Sequence, residues 1–288
     1  MSKGYTWIQP SFDGKPLDVS LPPRDTWNVQ LLPFDGYPDK EPIDPELAPW
    51  LNEVPDYNPT TIFTDNLAEG VASGKALPAD VGSVSVEQMQ SYYPDLTLDQ
   101  QGMVRNPLGR TNTRGGFLYS VGGNFCADPV LLWTEDKKLY TLVITKKLAH
   151  LRGKVLIPGG MCEAGENISL VLERELNEET AVLQSFQEAI VLYAGIVASP
   201  RNTDERWTET IAALNILDSN TGKRLKPEVL DQQEGIDAAF KFELTLESIA
   251  RIVPAHREFV NLGLAEFYKR KPDWAERCEQ LIKAAYSF

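Results

Sequence analysis

The stretch GGMCEAGENISLVLERELNEETAV, from Gly159 to Val182, decides the fold and the chemistry of this 288-residue chain. Within it, Ile168, Val171 and Leu172 recur at helical spacing and predict an amphipathic helix whose apolar face packs inward. The next turn of the same face carries three acidic residues. They are Glu175, Glu178 and Glu179.

Carboxylates that point into a partly enclosed position repel one another and lose hydration, which is costly without a cation. A hard divalent ion removes this cost, and Mg²⁺ binds through a few carboxylates together with water and phosphate oxygens. Arg174 is adjacent to Glu175 and is expected to hold one carboxylate in place. The pattern predicts a metal site. The alternative from these residues alone is a solvated acidic end of a helix.

The wider spacing separates these alternatives. The segment follows the pattern G-x5-E-x7-R-E-U-x-E-E-x-G-U, where U is aliphatic. Gly160 is its first glycine, Glu166 its first glutamate, and RELNEE begins at Arg174. This segment resembles the Nudix box. Ala181 stands where the second glycine is usual, which affects the turn after the helix and not a metal ligand.

The resemblance implies an α/β fold, the Nudix α/β/α sandwich with a mixed sheet. It also implies that Mg²⁺, or Mn²⁺ as an alternative ion, bridges a diphosphate while water attacks phosphorus. The implied catalytic residues are Arg174, Glu175, Glu178 and Glu179. The implied metal-binding residues are Gly160, Glu166, Glu175, Glu178 and Glu179. The spacing does not identify the general base.

A second motif, SPRNTDERWTET from Ser199 to Thr210, gathers an arginine, several acids and an aromatic in one loop. From these residues alone, Arg201 could bind a phosphate, Asp204 could accept hydrogen bonds from ribose hydroxyls and Trp207 could cover a base. The alternative is a polar connection between two strands with a buried tryptophan.

The loop resembles that of ADP-ribose pyrophosphatases of mitochondrial type and of the related domain of ADP-ribose-gated melastatin-type cation channels. Three further segments resemble this subfamily. They are NPLGRT at 106–111, Asn124 together with Ala127-Asp128-Pro129, and IPGGM at 157–161. His256 matches the histidine of its late Y-A-x-H segment, where the tyrosine and alanine are replaced. We expect the substrate to contact Arg110, Trp133, Gly160, Met161, Arg201, Asn202, Asp204, Trp207, Glu209 and His256.

The resemblance implies Mg²⁺-dependent hydrolysis of ADP-ribose to AMP and ribose 5-phosphate. One alternative is the same chemistry on another nucleoside diphosphate sugar. Another is a non-catalytic or weakly catalytic ADP-ribose sensor domain from a cation channel. Both acids of the terminal pair, Glu178 and Glu179, are present, which favours catalysis.

The amino-acid composition limits the kinds of molecule that the protein is expected to bind. The net charge of −13 argues against a nucleic-acid binder, because such proteins neutralise phosphates with clustered lysine and arginine. Three cysteines without C-x-x-C spacing predict neither a disulfide framework nor a thiolate zinc site. No signal, transit or transmembrane pattern is evident, so we expect a cytoplasmic monomer that binds a small molecule, with no membrane partner.

The chain is expected to divide into an irregular, proline-rich N-terminal cap at 1–116 and a Nudix core at 117–288. Thirteen of the 20 prolines precede residue 100. The alternative for that region is a leader without fixed structure. Apolar runs predict strands at 130–133, 139–144, 155–157, 189–198, 208–217 and 238–244. Helical periodicity predicts helices at 167–177, 257–269 and 273–286.

Overall fold

The computed structural model describes twelve parts of the chain. They are residues 11–12, 15–16, 30–31, 37, 41, 43–63, 96–100, 102–118, 121–148, 151–162, 166–230 and 235–286. Much of the predicted cap at 1–116 lies outside the described residues. The cap and its boundary with the core therefore stay predictions.

The described strands form one large and two small sheets. The strands are β1 (Ser11–Phe12), β2 (Lys15–Pro16), β3 (Thr60–Phe63), β4 (Thr113–Gly116), β5 (Gly122–Glu135), β6 (Lys138–Lys146), β7 (Gly160–Met161), β8 (Ile190–Val197), β9 (Arg206–Ile216) and β10 (Ile236–Glu243). The large sheet has the order β10-β6-β5-β9-β8, and β7 pairs with β5. Strands β1 and β2 pair with each other, and β3 pairs in parallel with β4.

The helices lie in the C-terminal part of the described chain. They are α1 (Ile168–Thr180), α2 (Ser219–Arg224), α3 (Pro254–Arg270) and α4 (Ala275–Ala285), with 3-10 turns at Ser248–Arg251 and Pro272–Trp274. Among these helices, none is long and apolar enough to span a lipid bilayer.

By internal contacts the chain forms two compact units. The first contains residues 1–10, 16–125 and 195–210, and the second contains 11–15, 126–194 and 211–288. In the first unit, a buried apolar cluster is built around Trp207, Val104, Leu108 and Ile196.

In the second unit, β5 is buried on both of its faces. An ideal Cβ at Gly263 of α3 would lie 3.3 Å from Leu132, whereas one at Gly222 of α2 would overlap the indole of Trp133. Because consecutive residues of a strand point to opposite faces, α2 and α3 cover opposite faces of β5. The predicted α/β fold with helices packed on a mixed sheet is therefore confirmed.

The predicted elements agree with the structure where the apolar pattern is long. The expected strand at 155–157 is different, because Val155 and Leu156 make only isolated bridges, to Ile252 and Ile144. A three-residue run carries too little periodicity to separate a strand from a bridge. The three cysteines are free, as expected.

Candidate active site

Helix α1 has defined ends. The Asn167 side chain accepts a hydrogen bond from the Ser169 N–H at 2.9 Å and caps the helix start. At the other end, Ala181 adopts the left-handed conformation, with φ 56° and ψ 15°, and its N–H donates to the Asn177 carbonyl. The turn that a glycine usually makes is thus kept by Ala181, which does so at a steric cost to its Cβ.

The acidic residues of α1 continue its buried stripe. Val171 and Leu172 are fully buried, and one turn later the exposed fractions of Glu175 and Glu179 are only 3% and 1%. The side chain of Glu178 lies at the edge of this stripe and is 44% exposed. The inward direction predicted from the spacing is therefore correct for two of the three carboxylates, and the third reaches solvent.

Arg174 is the centre of the carboxylate cluster. Its guanidinium donates to both carboxylate oxygens of Glu166 at 3.3 and 3.1 Å, to Glu175 at 2.8 Å and to Glu178 at 3.1 Å. It also donates to the Met161 carbonyl at 3.2 Å. Burial alone would lower the Arg174 pKa, but its carboxylate partners raise the pKa on balance and keep the side chain charged. The sequence predicted one such contact, and the structure has three.

Glu179 is held by a different set of partners. Its carboxylate accepts a hydrogen bond from the Gly159 N–H at 2.8 Å and lies 3.1 Å from the Lys146 ammonium. Lys146 ends β6 and was not among the residues that the sequence indicated. No spacing rule links it to α1, because the two residues meet only through the folded sheet.

The loop before α1 leaves room for a carboxylate. Strand β7 pairs with β5, with Gly160 opposite Ala127, which fixes this loop on the sheet. An ideal Cβ at Gly160 would overlap the Glu175 carboxylate, approaching its Cδ to 2.6 Å. Only glycine leaves this space open.

The donor set fits a hard divalent cation. The candidate ligands are carboxylate and backbone oxygens, which Mg²⁺ and Mn²⁺ prefer. Within the described residues, no three acidic, histidine or cysteine side chains already converge as a metal shell. Arg174 and Lys146 contact these carboxylates and neutralise part of their charge. Burial raises the pKa of the neighbouring Cys162 thiol, which keeps it protonated and therefore a poor ligand.

His256 lies beside the same loop. Its Nδ1 accepts a hydrogen bond from the Ile157 N–H at 2.8 Å, and its Nε2 is 3.9 Å from Asp128 Oδ1. The ring stacks against Phe259 with a centroid distance of 6.0 Å. The expected substrate residue is therefore engaged with the backbone that leads to Gly160.

Trp133 is also placed in the interior. It is fully buried and stacks on Tyr140 with centroids 5.8 Å apart. Its other close neighbour is Gly222. In this conformation, Trp133 presents no face to a ligand.

The loop from Ser199 to Thr210, in the first unit, holds several expected substrate residues in structural roles. Asn202, Trp207 and Glu209 are fully buried. The Asn202 amide bridges the Val197 carbonyl and the Thr208 N–H, and the Trp207 indole donates to Glu209 at 2.8 Å. The alternative of a polar connection with a buried tryptophan describes this part of the loop.

Asp204 and Arg110 are fixed by protein groups as well. Asp204 accepts hydrogen bonds from the N–H and hydroxyl of Thr111 and from the hydroxyl of Tyr57. Burial raises the pKa of Asp204 despite these donors. The Arg110 guanidinium donates to the carbonyls of Leu47, Pro49 and Asn52 and stacks on Trp50. Both residues line a cavity of about 380 Å³ in this unit.

Arg201 differs from its neighbours in the loop. Its side chain is only partly buried, while its backbone carbonyl accepts a hydrogen bond from the Tyr37 hydroxyl at 2.8 Å. The backbone is thus anchored, while the residue as a whole stays partly exposed.

Comparisons with known proteins show that the chain is similar to Nudix proteins. Residues 127–262 match the NUDIX domain family. The chain is 29% identical to the "ADP-ribose pyrophosphatase, mitochondrial" of Rattus norvegicus over 87% of this chain and 80% of that protein. It is 31% identical to the "Putative nudix hydrolase 6" of Caenorhabditis elegans over 76% of this chain and 88% of that protein.

A cation channel is also similar in part. The "Transient receptor potential cation channel subfamily M member-like 2" of Nematostella vectensis is 26% identical over 65% of this chain, a match that spans 14% of the channel. The resemblance drawn from the two motifs is therefore confirmed. Since the chain covers most of a Nudix relative that is more than 30% identical to it, it belongs to the Nudix family.

Proposed function

We propose that this protein hydrolyses the pyrophosphate bond of ADP-ribose to AMP and ribose 5-phosphate in a Mg²⁺-dependent reaction. One observation carries the proposal. Two carboxylates, Glu175 and Glu179, are almost fully buried on the inward stripe of α1, beside a glycine loop that leaves space for Glu175. Arg174 and Lys146 neutralise part of the charge of these buried carboxylates, and a divalent cation would offset the rest while binding a diphosphate.

The side chains of the cluster have separate roles in this proposal. Glu175, Glu178, Glu179 and Glu166, with the Gly160 backbone, would hold the ion. Once bound, Mg²⁺ supplies polarisation of the phosphoryl oxygens and lowers the pKa of water. Arg174 orients three of the carboxylates, and Lys146 balances the charge of Glu179.

Glu178 is the carboxylate that can reach the substrate side of the cluster. Its side chain is 44% exposed, whereas Glu175 and Glu179 are enclosed. Removal of the Glu178 carboxylate should therefore disturb the orientation of water and substrate. The other two residues mainly fix the position of charge.

The choice of ADP-ribose has two supports. The rat relative is named an ADP-ribose pyrophosphatase, and it is similar to this chain over most of both lengths. The partly buried Arg201 is the loop residue whose side chain can still bind a phosphate, by a charge-assisted contact. Another nucleoside diphosphate sugar would satisfy the same cluster.

The test is product analysis with and without the metal. The full chain is incubated with ADP-ribose and Mg²⁺, then with EDTA, and nucleotides are separated by anion-exchange chromatography. We expect AMP and ribose 5-phosphate only with Mg²⁺. Glu178→Gln should lower kcat/KM by at least about 100-fold, since loss of even an outer partner of a metal site costs about 10- to 100-fold.

Glu188→Gln is the matched control, because Glu188 is an exposed glutamate beyond the end of α1. This substitution should leave kcat/KM unchanged. Intact ADP-ribose after incubation with the wild-type protein would contradict the proposal. If ADP-ribose then still bound tightly, the sensor alternative would replace it. Faster turnover of another sugar nucleotide in the same assay would correct the substrate.

A further inference from the structure

The starting observation is the hydrogen bond between His256 and Ile157, two residues that are 99 positions apart. His256 lies in the first turn of α3, and its Nδ1 accepts the Ile157 N–H at 2.8 Å. Because Nδ1 is the acceptor, the neutral ring carries its proton on Nε2, on the side of Asp128. The stacked ring of Phe259, on the same helix, limits rotation of the imidazole.

The segment that His256 holds leads directly to the carboxylate cluster. Pro158 follows Ile157 and fixes its own φ, which leaves fewer backbone rotations between Ile157 and Gly159. The Gly159 N–H donates to Glu179, and the space above Gly160 receives the Glu175 carboxylate. Both enclosed carboxylates thus depend on the position of this segment.

The segment is also confined at Gly159. An ideal Cβ at Gly159 would lie 2.5 Å from Asp128 Oδ1 and 2.7 Å from the Ala127 carbonyl. Strand β5 therefore restricts the segment at Gly159, and the hydrogen bond to His256 restricts it at Ile157.

From this geometry we propose that His256 is a positioning residue for the metal-binding loop. Its Nδ1 fixes residues 157–160 so that Glu175 and Glu179 are presented together to a divalent cation. The role rests on the proposed function, and it differs from the direct substrate contact that the sequence suggested. An outer hydrogen bond that orients metal-binding groups typically contributes 10- to 100-fold to metal affinity or activity.

The test compares two variants of nearly equal shape. In His256→Asn, the amide oxygen can take the place of Nδ1 and accept the Ile157 N–H. In His256→Leu, the side chain branches at the same carbon but has no acceptor. Both remove the aromatic stacking on Phe259, so the difference between them isolates the hydrogen bond.

Mn²⁺ binding to the full chain, measured by electron paramagnetic resonance of the free ion, is the first readout. His256→Leu should weaken Mn²⁺ binding by about tenfold or more, whereas His256→Asn should bind Mn²⁺ within the wild-type order of magnitude. Hydrogen exchange of the Ile157 amide is the second readout and needs no metal. It should be fast in His256→Leu and protected in His256→Asn.

Steady-state kinetics with ADP-ribose at saturating Mg²⁺ complete the test. A positioning role predicts a lower kcat in His256→Leu with little change in KM. The control is Glu258→Gln, which alters charge on the same helix turn and should leave Mn²⁺ binding unchanged. Thermal unfolding of each variant shows that the protein compared is folded.

Four outcomes overturn the proposal. They are equal Mn²⁺ binding by the Asn and Leu variants, intact Mn²⁺ binding with a raised KM for ADP-ribose, an Ile157 amide that is unprotected in the wild type, and no Mn²⁺ binding by the wild type. A protein that binds Mn²⁺ as expected but cleaves no ADP-ribose would instead reject the proposed substrate and leave the role of His256 supported.

Discussion

Helix α1 and the loop from Ser199 to Thr210 both carry motifs of the same family, but they use their side chains differently. On α1, Glu175 and Glu178 contact Arg174, and the side chain of Glu178 is 44% exposed. In the loop, Asn202, Trp207 and Glu209 are fully buried and bind protein groups. A motif residue can therefore either stay open to solvent or be buried to build the loop that presents another residue. Burial and hydrogen-bond partners separate the two cases.

The largest loss of activity is expected from a substitution of Gly160, in the loop before helix α1. Gly160→Ala introduces a Cβ that overlaps the Glu175 carboxylate. The displaced carboxylate can no longer share an ion with its neighbours. We expect kcat/KM for ADP-ribose to fall by about 100-fold or more, with weaker Mn²⁺ binding. Steady-state kinetics and a Mn²⁺ titration measure both quantities.

Gly153 provides the matched control for Gly160. Gly153 has a φ of 77°, and an ideal Cβ there meets nothing within 4 Å. Gly153→Ala should therefore cost about 1 kcal/mol of unfolding free energy and leave kinetics intact. If Gly160→Ala is as active as Gly153→Ala, then the space at Gly160 that the Glu175 carboxylate occupies is not part of the site.

The second effect concerns Trp207, on the loop side. Its indole is fully buried in the apolar cluster of the first unit and donates a hydrogen bond to Glu209. Trp207→Leu should lower the free energy of unfolding by about 3 kcal/mol, because it leaves a cavity and removes a donor from a buried carboxylate. Chemical denaturation measures this loss.

Arg201→Gln is the counterpart of Trp207→Leu within the same loop. Arg201 is only partly buried, so its replacement should barely change stability and should raise the KM for ADP-ribose by about tenfold, the size of one charge-assisted hydrogen bond. If Trp207→Leu raised KM at unchanged stability instead, the tryptophan would be a base-covering residue after all.

Helix α1 and the loop from Ser199 to Thr210 also differ in how much of their structure could be predicted from the sequence. Helix α1 was expected at 167–177 and lies at Ile168–Thr180, because its apolar stripe spans whole turns. The turn at Ala181 was in doubt, and the structure keeps it with φ 56°. The helix is local, so the spacing of neighbouring residues predicts it, whereas the left-handed conformation of Ala181 does not follow from an alanine at that position.

The protein partners of Arg110 and of the loop residue Asp204 could not be predicted, because they are distant in the chain. Arg110 binds the carbonyl of Leu47, and Asp204 binds the N–H of Thr111, across 63 and 93 residues. Periodicity describes the face of an element and not the surface that it meets. Sequence alone therefore could not show that Arg110 and Asp204 join distant segments of the chain, and their contacts with a substrate stay predictions.

A further prediction for this loop concerns the pH dependence of stability at Glu205. Its carboxylate is 6% exposed, accepts the Gly115 N–H at 2.7 Å and lies 3.9 Å from Arg206. Burial outweighs both contacts and raises its pKa from 4.5 to about 7. Between these values the folded protein holds more protons than the unfolded one, so this contribution to stability is complete below about pH 4.5 and is lost as the pH rises through about 7.

Glu205→Gln keeps a neutral acceptor for Gly115 at every pH. The variant and the wild type should therefore be about equally stable near the unfolded pKa of 4.5, and the variant should be more stable by about 3 kcal/mol at about pH 8. Urea denaturation at both pH values measures the difference, and Glu188→Gln should show none. A gap that does not grow with pH would show that Glu205 is ionised in the fold at little cost. The loop would then have the solvated character that its polar sequence suggested, rather than the buried one that separates it from α1.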